Sequence, residues 1–182
     1  MPQDWRQRYA DKIVAPEFAA KLIQPGNRVF IGSACGEPQA LVRAMVEASG
    51  KLADTELVQV LTLGVAPYAD PRYAPSFRPN AFFIGPGVRS AVNEARADYT
   101  PIFLSQVPRL FKSGSLPIDV ALIMVTPPDA HGMCSFGVSV DITKAGAEAA
   151  KLVIAQVNEH MPYVQGDSLI HVNQIHYLVE HN

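Results

Sequence analysis

Two rhythms of apolar residues alternate along this chain. From Asp4 to Leu22 the residues Trp5, Tyr9, Ile13, Phe18 and Leu22 recur at helical intervals, with Pro16 placed to open a second helix and Pro25-Gly26 to close it. Arg28 to Ile31 then reads as a short strand. Pro38 to Gly50 reads as a helix, with Leu41, Met45 and Val46 on one face and Gly50 as its stop. Leu57 to Leu63 predicts a second strand and Gly64 to Pro79 an irregular loop rich in proline and tyrosine. Ala81 to Ile84 predicts a third strand, ended by the turn Gly85-Pro86-Gly87. Helices are expected over Val88 to Ala97 and Phe103 to Lys112. Asp119 to Val125 is a near-continuous apolar strand, Asp141 is placed to cap a helix running through Ala149, and Lys151 to Gln156 is one more buried strand. Strands that are apolar throughout need cover on both sides, so the pattern predicts an α/β fold: a mainly parallel sheet with helices on both faces. From Asn158 to Asn182 the rhythm fades, and residues 158–182 are expected to form a weakly structured tail leading to an absent second domain.

Composition narrows the class. A chain of 182 residues that is 48% hydrophobic is long enough for one well-filled core, and one domain over residues 1–182 is expected. Fifteen basic residues stand against seventeen acidic ones with no block of like charge, which argues against nucleic acid and against an anionic membrane surface as partners. No apolar run is long enough to span a bilayer, and the amino end does not resemble a signal sequence. With Cys35 and Cys134 far apart, the reading is a cytoplasmic protein with free thiols that handles small molecules.

Chemistry is expected where strands end, because ligands of open α/β sheets meet the carboxyl ends of the strands. Two loops qualify. The first is Gly32-Ser33-Ala34-Cys35-Gly36-Glu37-Pro38, between a strand and a helix, where backbone N–H groups suit a phosphate, a carboxylate or a developing oxyanion. It lacks the Gly-Lys-Ser/Thr of a P-loop and the third glycine of the dinucleotide fingerprint, and a tight turn without ligand accounts for it as well. Glu37 has the chemistry of a nucleophile or base, but is expected to be a first-turn acid matched to the helix dipole. The second loop follows the strand Asp119 to Val125 and offers Thr126, Pro127, Asp129, His131 and Ser135; its bland alternative is an ordinary Pro-Gly connection. Cys35, His131 and Cys134 together could hold zinc or form a Cys-His nucleophile pair, although they lack the paired spacing of zinc sites. His131 is expected instead to hold loop backbone. The histidines His160, His171, His176 and His181 are expected on exposed segments.

Four stretches read together carry a resemblance: IGSACGEPQALV at 31–42, GPGVRSAVNEARADYTPIFLSQVPRLF at 85–111, LPIDVALIMVTPPDAHGMCSFGVSVD at 116–141, and HMPYVQGDSLIHVNQIHYLVEH at 160–181. The chain resembles the amino-terminal domain of the acetyl-CoA hydrolase/transferase family, the 4-hydroxybutyrate CoA-transferase type, over nearly its whole length. The resemblance implies a CoA-transferase-like domain paired with a second, similar domain or subunit, with acyl-CoA and a small carboxylic acid bound in the cleft between them. It implies no bound cofactor; the coenzyme A thioester is the substrate. The family reaction passes CoA through a thioester on a glutamate of the second domain. None of Glu17, Glu37, Glu47, Glu56, Glu94, Glu148, Glu159 or Glu180 lies in a stretch matching that residue. This domain is therefore expected to supply one wall of the cleft through Gly32 to Pro38 and Thr126 to Ser135, to be inactive alone, and to leave an apolar face that favours homo-oligomers. The competing readings are a non-catalytic partner subunit and a Cys/His or zinc-dependent hydrolase.

Overall fold

The computed structural model describes residues 4–182. Two short helices, α1 (Trp5–Arg8) and α2 (Pro16–Ala20), precede β1 (Arg28–Ile31), α3 (Gln39–Glu47), β2 (Thr55–Gln59) and β3 (Phe77–Ala81). The chain continues through α4 (Pro86–Asn93), β4 (Asp98–Tyr99), α5 (Val107–Lys112), β5 (Val120–Val125), β6 (Met133–Ser135) and α6 (Thr143–Ala149). It ends with β7 (Leu152–Val157), β8 (Leu169–His171) and β9 (Tyr177–Glu180). Seven strands form one sheet in the order β4-β3-β2-β1-β5-β7-β9, and every neighbouring pair in it is parallel. The remaining two, β6 and β8, make a small antiparallel pair.

Burial on both faces follows from the strand sequences. In β1, Val29 and Ile31 join Leu57 of β2 against Leu41 and Met45 of α3 and Val88 and Ala91 of α4. Phe30 points the other way, with Val58, Ala121 and Ile123, against Phe111 of α5 and Ala145 of α6. Phe30 meets Phe111 edge to face, with ring centroids 5.6 Å apart. All six residues of β5 are buried, and each of its valine, leucine, isoleucine and methionine side chains contributes roughly 1.5–3 kcal/mol by leaving water. The helix α6 lies close over this face: a Cβ on Gly146 would sit 2.7 Å from the Phe30 ring. Among the described residues no helix is long and apolar enough to cross a membrane.

Three expectations change. The second strand starts at Thr55 and ends at Gln59, shifted toward the amino end of the predicted Leu57 to Leu63. Its polar start is stabilised across strands, where Arg28 Nε donates to Glu56 (2.6 Å) and Asn80 Nδ2 donates to the other Glu56 oxygen (2.8 Å). The third strand falls inside what read as loop, at Phe77–Ala81, rather than at Ala81 to Ile84. Its Pro79 is tolerated because the missing N–H faces outward below the start of β4, which pairs only from Asn80. Residues 158–182 are not weakly structured: they carry β8, a 3-10 turn at Val172–Gln174, and β9, which pairs in parallel with β7. That segment reads weakly because its strands are short and separated by polar turns.

From β1 the chain builds outward through β2, β3 and β4, then returns to the opposite side of β1 with β5, β7 and β9. The connections after β1 and β5 therefore leave the sheet in opposite directions, which opens a crevice at the carboxyl ends of those two strands.

Candidate functional site

The two loops singled out in the sequence follow β1 and β5, the neighbouring strands at which the order of the sheet reverses. Gly32 continues β1, donating to the Leu122 carbonyl at 2.9 Å. Ser33 is extended, Ala34 lies in the left-handed region at φ 52°, and Ala34–Gly36 forms a single 3-10 turn. A non-glycine residue in that region is strained, and such strain is characteristic of functional loops. The loop is fastened to the segment Ser139–Asp141, where the sequence offered Asp141 only as a helix cap. Ser33 Oγ donates to the Asp141 carboxylate, and Gly36 N donates to Ser139 Oγ at 3.2 Å. The contact admits only glycine at 36, since a Cβ there would lie 2.7 Å from the Ser139 Cβ. Asp141 is itself at φ 20° and accepts from Thr143 N and Oγ1 at 3.0 and 3.1 Å. Cys35 is exposed at the turn.

Glu37 is the correction in this loop. The helix α3 begins at Gln39 with Pro38 at its N-cap and has no acid in its first turn. Glu37 instead turns inward, 3% exposed, and neither carboxyl oxygen has a hydrogen-bond partner among the described residues. Burial pushes its carboxyl up to about 7, and the nearby Gln39 amide, whose geometry falls short of a hydrogen bond, offsets only part of that. The free N–H of Ala40 at the start of α3 is capped from across the sheet, by Gln156 Oε1 of β7 at 3.0 Å.

The second loop is braced by its own side chains. Thr126 Oγ1 accepts from Ser135 N (2.9 Å) and donates to the Pro127 carbonyl (3.1 Å). Asp129 Oδ1 accepts from His131 N (2.8 Å) and Met133 N (2.9 Å), while Tyr163 Oη donates to Asp129 Oδ2 (3.1 Å). Burial works against the Asp129 charge, but these donors outweigh it and hold the carboxyl below its usual range. Ser135 Oγ donates to the Val164 carbonyl (3.0 Å) and accepts from Gly137 N (3.1 Å) and Val164 N (3.0 Å), which exhausts its hydrogen-bonding capacity. Thr126, Asp129 and Ser135 thus shape the loop. Pro127 is half-buried, and His131 stands exposed with its carbonyl 3.2 Å from His171 Nε2.

The thiol reading loses its footing here. Cys134 is fully buried in the apolar layer, and burial, followed by the Asp129 charge, pushes its thiol up to about 12. Such a thiol carries almost no thiolate at neutral pH. Among the described residues no three His, Cys, Asp or Glu side chains gather as a metal site.

Beside the crevice the carboxyl edge is apolar and open. Leu63 and Val65 follow β2, Phe83 follows β3, and Phe103 and Leu104 follow β4, all exposed; Leu61, Phe83, Phe103 and Leu104 help line a groove of about 420 Å³.

Comparison with known proteins agrees with this geometry. The model of the acetyl-CoA hydrolase/transferase N-terminal domain matches residues 1–182. The chain is 48% identical over 177 residues to the 4-hydroxybutyrate coenzyme A transferase of Clostridium kluyveri, which covers 97% of this chain and 41% of that protein. The crystal structure of 4-hydroxybutyrate CoA-transferase from Porphyromonas gingivalis superposes with a TM-score of 0.79 at 31% identity, over 97% of this chain and 41% of that one. RipA from Yersinia pestis superposes with a TM-score of 0.88 at 28% identity, over 98% of this chain and 44% of that one. The chain spans about two-fifths of the length of these relatives.

Proposed function

The chain belongs to the acetyl-CoA hydrolase/transferase family, as its amino-terminal domain, and from that premise we propose that it forms one wall of the active site of an acyl-CoA:carboxylate CoA-transferase. The reaction moves CoA from an acyl-CoA to a small carboxylic acid. A glutamate carboxylate of the second domain attacks the thioester carbonyl, and CoA leaves the adduct as its thiolate, giving an acyl-glutamyl anhydride. The thiolate then attacks the glutamyl carbonyl, releasing the acyl group as a carboxylate and leaving CoA on the enzyme as a thioester. The acceptor carboxylate repeats the two steps in reverse, and the glutamate is regenerated. When water takes the acceptor's place, the outcome is hydrolysis.

The observation that carries this reading is the coincidence of the loops Gly32–Pro38 and Thr126–Ser135 with the switch point of a sheet whose relatives are CoA-transferases more than twice as long. In this role the domain contributes placement: a braced rim and backbone donors beside the reacting groups, with the covalent carboxylate coming from the second domain. No resident cofactor is required, because the thioester already carries the activated acyl group.

The test is transfer from an acyl-CoA to acetate, followed by chromatography of the CoA thioesters. The 182-residue chain alone is expected to give no transfer, and the polypeptide that also carries the second domain is expected to turn over. Transfer by the chain alone would overturn the assignment of the reactive carboxylate.

A further inference from the structure

The second domain supplies the covalent step in this reading, and Glu37 is a second carboxyl that step does not use. It lies in a buried polar cluster at the carboxyl ends of β1 and β2. Thr62 Oγ1 donates to Gln59 Oε1 at 2.8 Å and lies 3.1 Å from the Tyr68 hydroxyl. Since the single Thr62 hydrogen goes to Gln59, Tyr68 must be the donor of the second bond, so neither hydroxyl hydrogen is left for Glu37. Two groups of the cluster stay unpartnered among the described residues: the Glu37 carboxyl, at both oxygens, and Gln59 Nε2 on a residue only 1% exposed. The groups facing Glu37 are Tyr68, from the 3-10 turn Pro67–Ala69, and Gln39, from α3; among the described residues no lysine or arginine pairs with it. Burial, followed by the Glu37 charge, holds the Tyr68 phenol well above its usual range. A carboxyl in such surroundings favours its neutral form, with a hydrogen to donate. Beside the cluster runs Leu63 to Val65, which makes no backbone–backbone hydrogen bond among the described residues and exposes Leu63 and Val65 to 59% and 76%. Gly64 of this segment abuts the Gln39 amide. A segment held so lightly opens at low cost.

We propose that Glu37 receives the carboxylate of the acceptor acid when Leu63 to Val65 moves aside, donating a hydrogen bond to it as a neutral carboxyl, with the Gln59 amide as second donor. The inference rests on the CoA-transfer reading for the identity of its ligand, a small carboxylate. It makes Glu37 a positioning residue for the acceptor, distinct from the glutamate that carries CoA.

Acetate is the probe. In the full-length enzyme carrying this domain, KM for acetate is expected to rise about tenfold per pH unit above about pH 7, as Glu37 ionises and repels the anion. Glu37→Gln keeps a neutral donor, so its KM for acetate should stay flat from about pH 6 to about pH 8. Glu37→Ala should raise that KM about tenfold throughout, and neither variant should move KM for the acyl-CoA. A flat wild-type profile, or a Glu37→Gln enzyme that keeps the rise, overturns the inference. A second readout needs no turnover. With glutamate carboxyl carbons labelled in this chain, the NMR signal missing from Glu37→Gln should titrate near neutrality, and acetate should move its midpoint upward because it binds the protonated form. A signal with an ordinary carboxylate midpoint, or one indifferent to acetate, also overturns it. An enzyme that transfers no CoA would sink the function reading alone, leaving the titration to decide the role of Glu37.

Discussion

At Glu37 negative charge is disfavoured by position: the side chain is 3% exposed and its oxygens lack partners. The consequence for stability follows from proton linkage. The folded carboxyl holds its proton to about pH 7, whereas the ordinary value is 4.5. Between these values the unfolded chain releases a proton that the folded chain keeps, so this group's contribution is fully present below about pH 4.5 and is lost as pH rises to about 7. Glu37→Gln lacks that dependence. Relative to the wild type it should therefore gain on the order of 3 kcal/mol across this window. Urea unfolding of the two proteins at matched pH measures the gain, and a difference that stays constant with pH would refute it. Ser135 teaches the opposite lesson. It has the right chemistry for a site and the right loop, yet its hydroxyl is fully engaged in joining β6 to Val164.

Among the elements, α3 is the one that fixes the first loop. Its apolar face was legible from the spacing of Leu41, Met45 and Val46, all buried. Its start was not, because the cap comes from Gln156 of β7, 116 residues away. Gln156 also donates to the His181 carbonyl at 3.2 Å, so it ties the helix to the end of the chain. Gln156→Leu should leave both backbone groups without these bonds and cost about 1–3 kcal/mol. Thermal unfolding checks that loss, and amide exchange should show it concentrated at the first turn of α3. The strand β3 was illegible for a related reason: Arg78, Pro79 and Asn80 carry no apolar alternation, and the strand exists through pairing with β2 and β4.

For the whole molecule the decisive feature is asymmetry. Large exposed apolar side chains gather at the carboxyl edge of the sheet, with Val65 at 76% and Phe103 at 77%. A surface of this kind suits a second domain, and left open it should drive self-association. Sedimentation velocity over a concentration series should show this chain associating, and a Phe103→Ser, Leu104→Ser variant should associate less. A strict monomer at high concentration would count against that use of the edge. The sequence by itself determined the α/β class, the burial of β5 and β7, the two loops at strand ends and the family, because face periodicity, turn residues and motifs are local and survive in one dimension. Only the tertiary structure decided that these loops follow neighbouring strands, that Ser33 is fastened to Asp141 across 108 residues, and that Glu37 is buried without a partner among the described residues. Those facts depend on which strands become neighbours and what then surrounds each side chain, and such contacts between distant residues leave no periodic mark on the chain.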